Sequence, residues 1–516
     1  MIDQRQKEES KGELTVNAGH KLRLKWLGID TYQEAVIYMR RDCEVCRSEG
    51  FEAQSRVRVA RNGVEIVATL NVIDSDLLAP HQASLSSAAW RQLDGREGDS
   101  IRVRPLPPLE SLIALRSKIY GHRLNDEQMY CIIEDVARGR YPNIYLAAFV
   151  AACAGGRLDA DETVSLTRAM VNVGQRLDWG SAPVVDKHCV GGLPGNRTTP
   201  IVVAIVTAAG LIMPKTSSRA ITSPAGTADT METLAPVALD LPAIRRVVGK
   251  EGGCIVWGGA VNLSPADDIL IRVERPMDLD SEGQLVASVL SKKVAAGSSH
   301  ALIDIPVGYT AKIRSQHAAT VLKTLLEYVA GNLGLAIQVV FTDGSQPVGR
   351  GVGPALEARD ILAVLRNEAD APADLRERSL TLAGTLLEFC GTAAIGTGVA
   401  HARRLLDSGQ AWAKFVAIAN AQGGLRTPPV APHTHPVCAV KAGRVTAIDN
   451  RLVSRAAKLA GAPRAASAGI DLHVMVDSHV DIGMPLFTVH AETPGELEYA
   501  LSYLDMHPQI VVVEER

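Results

Sequence analysis

Aromatic residues are scarce in this 516-residue chain, at 4%, and net charge is almost absent, at −3 from 54 basic and 57 acidic side chains. Few aromatics disfavour a stacking platform for single-stranded nucleic acid. The near balance of charge gives no overall attraction to nucleic acid or to an anionic membrane. The longest largely apolar run, Ile201–Met213, is too short to cross a bilayer as a helix. We therefore expect neither nucleic acid nor a membrane as a partner.

The chain also lacks the marks of a secreted protein. Its eight cysteines are scattered rather than clustered, which is typical of reduced thiols and not of a disulfide framework. The N-terminal stretch MIDQRQKEESKGE is too charged for a secretory signal. We expect a cytoplasmic protein.

Changes in hydrophobic periodicity predict an α/β multidomain fold. A helical domain and an α/β domain with a mostly parallel sheet follow an N-terminal β-rich domain and precede a C-terminal α+β domain. Asn62-Gly63 predicts a hairpin turn in the first of these, and the proline-rich stretch 427–437 is typical of a linker. The predicted boundaries are 1–105 (β-rich), 106–180 joined by a later segment around 262–297 (helical), 181–430 (α/β) and 431–516 (α+β).

A predicted strand, Val184–Cys189, leads directly into the glycine pair Gly191-Gly192. Side chains alternate along a strand, so Lys187 and Cys189 should face one side and His188 the other. Glycines beside a strand end let backbone amides approach an anion closely, and Lys187 would add a point charge. The pattern predicts a phosphate site. It is also compatible with an ordinary turn between a strand and a helix.

Two further segments carry polar groups suited to the same ligand. The segment Lys215–Asp229 is rich in hydroxyls, with two cations and Ile221 as its only bulky apolar residue. Such a segment binds anions through hydroxyl and backbone donors. Ser288 and Lys292 lie four residues apart and would share one face of a helix. Each segment, taken alone, is also compatible with a solvated surface.

Together these segments resemble the thymidine and pyrimidine-nucleoside phosphorylase family over roughly residues 110–500. DKHxxGG, an SSRAITSxAGTxD-like stretch and ASxxSKK occur in the family's order and spacing. The N-terminal hundred residues resemble the extra domain of the archaeal-type AMP phosphorylase branch. The later stretches KTSSRAIT and AGTAD also resemble that branch more than the short thymidine enzymes. The resemblance implies an enzyme, a pentosyltransferase that cleaves the N-glycosidic bond with inorganic phosphate. It implies a homodimer or larger homo-oligomer, no metal and no organic cofactor, and orthophosphate as co-substrate.

The resemblance also implies roles for individual residues. Lys187 would hold phosphate and His188 would donate a proton or a hydrogen bond to the departing base. The implied phosphate-binding residues are Lys187, Cys189, Gly191, Gly192, Thr199 (or Thr198), Ser217 and Thr227. The implied base- and sugar-binding residues are His188, Arg219, Ile221, Ser288 and Lys292.

This sequence departs from the family pattern at two places. Cys189 stands where serine is usual, and we expect a neutral thiol; a Cys189 nucleophile with His188 as base is the alternative. The segment 270–276 lacks the tyrosine of the Tyr-x-x-Arg element in pyrimidine enzymes. Arg272 or Arg275 could replace its arginine.

We predict thymidine or another pyrimidine nucleoside as the substrate. The alternative is a nucleoside 5′-monophosphate, AMP or CMP, giving ribose 1,5-bisphosphate. An extra cation at Arg272 or Arg275 could meet its 5′-phosphate, and Lys215 and Arg219 are other candidates. An anthranilate phosphoribosyltransferase-type activity is a further alternative. It would need acidic magnesium ligands, and we find no convincing acidic pair beside the glycine-rich loop.

Overall fold

The computed structural model describes residues 21–180, 183–220, 223–261, 263–277, 279 and 281–515. The chain divides into two compact units, Met1–His122 with Cys131–Val150, and Arg123–Tyr130 with Ala151–Arg516. The predicted α/β multidomain fold class is confirmed. The exact domain boundaries stay a prediction.

The first unit contains a closed barrel with the strand order β1-β5-β2-β4-β3-β6. Its alternating sequence explains its core, because Val57 and Val59 of one strand point inward and are fully buried. Asn62 and Gly63 have positive φ angles and form the predicted hairpin turn. The elements are β1 Lys21–Leu24, β2 Val36–Arg40, α1 Glu44–Glu49, β3 Arg56–Arg61, β4 Val64–Ile73, β5 Gln82–Leu85, α2 Ser87–Gln92 and β6 Ser100–Pro105.

Helices follow the barrel, as the three- and four-residue apolar spacing predicts. They are α3 Ser111–Ile119, α4 Asp126–Ala137, α5 Asn143–Cys153 and α6 Ala160–Asn172. Helix α6 begins at a capping box, in which Asp159 and Glu162 each accept a hydrogen bond from the other's backbone amide.

The second unit is centred on parallel strands. Strands β11-β10-β7 and β8-β9 form two parallel arrays, and a parallel bridge between Val184 and Ile212 joins them. The strands are β7 Val185–Cys189, β8 Met213–Ser217, β9 Gly253–Trp257, β10 His300–Val307 and β11 Ala336–Asp343. The helices are α7 Thr198–Ala208, α8 Thr227–Glu232, α9 Leu241–Glu251, α10 Pro265–Met277, α11 Glu282–Ala295, α12 Gln316–Asn332, α13 Pro354–Leu365, α14 Ala373–Phe389, α15 Gly398–Asp407 and α16 Gln410–Gln422. All five strands therefore end at the same edge of the sheet, where ligands bind in such folds.

The C-terminal part is mixed. Its sheets have the orders β12-β15-β17-β13 and β16-β14-β18. The elements are β12 Gly351–Val352, β13 His433–Cys438, β14 Gly443–Ile448, α17 Asn450–Leu459, β15 Gly469–Leu472, β16 His479–Val480, β17 Pro485–Ala491, α18 Pro494–Met506 and β18 Val511–Glu514. The prediction of a linker over residues 427–437 is wrong for its second half, because strand β13 begins at His433. Pro436 is tolerated there because β13 lies at the edge of its sheet.

None of the helices in the described ranges combines the length and the apolar character needed to span a bilayer.

Candidate active site

Lys187 lies in the middle of strand β7 with its side chain buried. Its Nζ donates to Thr198 Oγ1 at 2.7 Å and lies 3.7 Å from Asp304 Oδ2. Thr198 is the first residue of α7, and that helix begins without a side-chain cap. Unpaired amides at a helix start favour an anion. An ammonium group, a hydroxyl and a helix N-terminus therefore meet at one point.

The glycine pair that follows β7 cannot be replaced by larger residues without distortion. Gly191 and Gly192 have φ angles of 97° and 80°. A Cβ on Gly192 would lie 2.4 Å from the backbone nitrogen of Lys312. The backbone beside Lys187 is thus held in a left-handed conformation that leaves room for close approach.

Cys189 lies beside this loop, and Asn196 Nδ2 donates to its sulfur at 3.4 Å. Burial and, to a lesser extent, the nearby Asp304 carboxylate raise the pKa of the Cys189 thiol to about 12. The positive charge of Lys187 opposes this shift. The thiol is therefore neutral near pH 7 and offers a weak hydrogen bond, not a nucleophilic thiolate.

Arg197, which the sequence reading did not single out, ties the loop to the hydroxyl-rich segment. Its Nη1 donates to Thr227 Oγ1 at 3.0 Å and its Nη2 to Ala225 O at 2.9 Å, while its Nε donates to Glu357 Oε2 at 2.7 Å. The start of α8 is thereby fixed against the start of α7. Thr199, one residue beyond Thr198, is buried in the first turn of α7.

Ser217 ends strand β8, on the same edge of the sheet. Its hydroxyl is buried and has no hydrogen-bond partner within the described residues. A buried hydroxyl without a partner costs free energy, which a ligand could recover. The Ser217 hydroxyl is therefore open to a ligand.

Arg219 is not a free cation. Its Nη1 lies 2.6 Å from Glu232 Oε2 and 3.2 Å from Asp229 Oδ1, and its guanidinium stacks over Trp257 at 4.9 Å from the ring centroid. Two carboxylates thus neutralise it. Ile221, predicted to line the base, lies outside the described residues.

The predicted base-binding pair lies on α11. Lys292 Nζ contacts Asp267 Oδ2 of α10 at 2.6 Å and donates to Ser288 Oγ at 3.3 Å. Burial would lower the pKa of Lys292, but Asp267 raises it above its ordinary value. The ammonium stays charged and held in one place. Segment 270–276, where no tyrosine occurs, belongs to α10.

His188, between Lys187 and Cys189, is only partly buried. Desolvation lowers its pKa well below the ordinary value, and the positive charges of Lys293, Lys215, Lys292 and Lys187 lower it further. The imidazole is therefore neutral at neutral pH and can donate one hydrogen bond.

Curated relatives match the chain almost from end to end. One from Polaromonas sp. strain JS666 is 65% identical over 96% of this chain and 97% of its own length. One from Hahella chejuensis is 59% identical over 95% of this chain and 97% of its own length. Both bear the name "Putative thymidine phosphorylase". The chain belongs to the thymidine and pyrimidine-nucleoside phosphorylase family.

Family models agree with this phosphorylase assignment. The "Glycosyl transferase family, a/b domain" matches residues 181–412 and the "Glycosyl transferase family, helical bundle domain" matches residues 113–174. The chain is thus a glycosyltransferase-type enzyme. A crystal structure of anthranilate phosphoribosyltransferase from Thermus thermophilus aligns with a TM-score of 0.51 over 60% of this chain and 99% of its own, at 19% identity, which shows a shared fold.

In this phosphorylase-family chain, sequence reasoning missed two residues of the site, Asp186 and Lys293, and missed the contact that Lys215 makes with them. Asp186, immediately before Lys187, accepts hydrogen bonds at Oδ1 from Lys215 Nζ at 2.9 Å and from the Lys187 amide at 2.6 Å. Its Oδ2 lies 2.8 Å from Lys293 Nζ. We call Asp186, Lys215 and Lys293 the Asp186 cluster. The motif DKH signals its carboxylate, but the pairing with β8 and α11 is visible only in the folded chain.

Proposed function

We propose that the protein catalyses phosphorolysis of a pyrimidine nucleoside, with thymidine as the leading candidate. Orthophosphate attacks the anomeric carbon, the glycosidic C–N bond breaks, and the products are a free base and a (deoxy)ribose 1-phosphate. The names of the curated relatives support this reaction class.

The observation that carries the proposal is the buried Lys187 ammonium at the start of α7, beside the glycine pair. Its nearest partner is a neutral hydroxyl and the Asp304 carboxylate lies farther away at 3.7 Å, so the ammonium can still contact an oxyanion. The transition state has oxocarbenium character and requires an anion held beneath the sugar. Lys187, the backbone of Gly191 and Gly192, and the open hydroxyl of Ser217 would hold that anion.

The departing base needs its growing negative charge stabilised. A neutral His188 would donate a hydrogen bond to it, and Lys292 with Ser288 would contact the base or sugar from α11. Arg219 is paired with Glu232 and Asp229. It would therefore contact the base or sugar by stacking and by its shape more than by its charge.

The contacts of Lys215 and Arg219 favour a nucleoside over a nucleotide. Both were candidates for a 5′-phosphate, and both are already bound to carboxylates, Lys215 to Asp186 and Arg219 to Glu232. Recruiting either for a phosphate would break an ion pair. An uncharged 5′-hydroxyl carries no such cost.

Incubation with thymidine, uridine, AMP or CMP, each with and without orthophosphate, tests the proposal through release of free base. We expect phosphate-dependent release from a pyrimidine nucleoside. Release from AMP or CMP alone would establish the nucleotide alternative, and release without phosphate would contradict phosphorolysis.

The proposal includes no metal or organic cofactor and a homodimer or larger homo-oligomer, as the family resemblance implies. A chelator should leave base release unchanged, and sedimentation of the full chain should give at least twice the monomer mass. Loss of activity with a chelator, restored by magnesium, would favour chemistry of the phosphoribosyltransferase type.

A further inference from the structure

The Asp186 cluster is a buried group with more positive than negative charge. Lys215 and Lys293 contact different oxygens of the same carboxylate, at 2.9 and 2.8 Å. All three residues are at most 4% exposed. Two ammonium groups facing one carboxylate leave one uncompensated charge, and a buried uncompensated charge is costly. Release of one proton would leave a carboxylate, an ammonium and a neutral amine that can accept a hydrogen bond.

Within the described part of the chain, Lys215 and Lys293 have no carboxylate partner other than Asp186. Asp304 on β10 forms an ion pair with Lys187, and Asp267 on α10 forms one with Lys292. His188 on β7 is neutral, and Cys254 on β9 is a neutral thiol because burial raises its pKa to about 12. Helices α6 and α12, which pack against α11, carry charges with partners of their own: Glu162 with the Leu124 amide, Asp161 with Tyr328, Arg168 with Asp126, and Lys323 with Glu327.

The electrostatics agree with this count. Burial lowers the pKa of Lys293 to about 7, and Lys215 lowers it while Asp186 opposes the shift. Burial alone would raise the pKa of Asp186, but the two lysines lower it below its ordinary value. The proton that is missing near neutrality is therefore one from the amines and not one from the carboxylate.

We propose that the Asp186 cluster is a proton-binding site coupled to the anion site: it lacks one proton in the free enzyme and takes it up when a dianion binds beside Lys187. This rests on the proposed phosphate site, to which the cluster is linked in two ways: the Lys187 amide donates to Asp186 Oδ1 at 2.6 Å, and the charges of Lys187, Lys215 and Lys293 all act on His188. A dianion supplies the negative charge that the cluster lacks, so binding and protonation favour each other. Asp186, Lys215 and Lys293 are then positioning residues that adjust the charge around His188 and the phosphate.

The sign of the pH dependence follows from linkage. Below the pKa of the free cluster the proton is already bound, and anion affinity does not depend on it. Above that pKa, binding must take up a proton, and affinity falls by up to about tenfold per pH unit.

Calorimetric titration with sulfate tests the proposal, because sulfate is a dianion that does not itself titrate near neutrality. At about pH 8, binding heats in buffers of different ionisation enthalpy should give an uptake of close to one proton per sulfate. Lys215→Met and Lys293→Met each leave one amine with one carboxylate, so uptake should fall to zero. Lys250→Met, which removes an exposed ammonium on α9, should keep the wild-type value.

Sulfate binding by the wild type without proton uptake would overturn the proposal. So would uptake that survives Lys215→Met, because His188 or another group would then be the acceptor. If the variants do not fold, the wild-type uptake and the pH dependence of sulfate affinity decide alone. Failure of sulfate to bind also overturns it, whereas thymidine phosphorolysis by the same preparation would leave the proposed function standing.

Discussion

Two lysines, one on each side of the candidate site, differ in their nearest partner. Lys187 on β7 contacts a neutral hydroxyl at 2.7 Å and has a carboxylate only at 3.7 Å. Lys292 on α11 contacts a carboxylate at 2.6 Å. Both are buried or mostly buried cations, yet Lys292 contacts its carboxylate directly, whereas Lys187 contacts a hydroxyl directly and its carboxylate lies farther away.

This difference indicates what each side can bind. An ammonium at a helix start whose direct contact is a hydroxyl can still contact an oxyanion. A paired ammonium has little net charge but keeps fixed donors, which suits the neutral polar edge of a base. The same side-chain type therefore serves ionic binding at one place and directional hydrogen bonding at the other, and the nearest carboxylate decides which.

The largest expected effect is that of removing the Lys187 ammonium. Lys187→Ala should lower kcat by about 10²–10³-fold, the scale of one lost charge-stabilising group. Steady-state phosphorolysis of thymidine at varied phosphate measures it, with circular dichroism as the control for folding. Unchanged turnover would show that Lys187 does not bind phosphate, and the two lysines would then not differ in function as proposed.

A smaller effect is expected on the paired side. Asp267→Asn should lower kcat/KM for the nucleoside by about 10–100-fold because Lys292 loses its fixed position, while KM for phosphate stays unchanged. Lys292→Met and the double variant complete a cycle, in which the two changes should not add. An equal rise in both KM values would show that the two sides are not separate.

Local patterns predicted much of the fold. The barrel strands, the Asn62-Gly63 turn and the helices after Ser111 follow from alternation, turn chemistry and three- and four-residue spacing, all of which act over short stretches of chain. The strand leading into Gly191-Gly192 was predicted for the same reason. The edge strand β13 was missed because its alternation is weak and it contains Pro436 and directly follows three other prolines.

Long-range pairing could not be predicted. Arg197 meets Glu357 and Asp186 meets Lys293 across more than a hundred residues, and no local spacing encodes such partners. Lys215 was read as a candidate for a 5′-phosphate or as ordinary surface charge. It is buried against Asp186 because β8 lies next to β7 in the sheet.

Cys189 tests whether the site depends on a thiol. Cys189→Ser should change kcat by less than about fivefold, because a neutral thiol contributes only a weak hydrogen bond. In the native chain, iodoacetamide at neutral pH should label Cys189 far more slowly than the exposed Cys438, which mass spectrometry of the labelled peptides measures. Rapid labelling of Cys189 with loss of activity, and an inactive serine variant, would instead favour a nucleophilic cysteine.

The smallest expected effect is an absence of pH dependence in kcat. Because His188 is held neutral by burial and by the surrounding lysines, its charge does not change between about pH 6 and 8. At saturating thymidine and phosphate, kcat should therefore stay level over that range, while any pH dependence from the Asp186 cluster appears in KM for phosphate. A protonated histidine acting as general acid would make kcat fall as pH rises through its pKa. A descending limb near pH 6.5 in kcat, absent from His188→Asn, would show that the lysines around the imidazole do not keep it neutral during turnover.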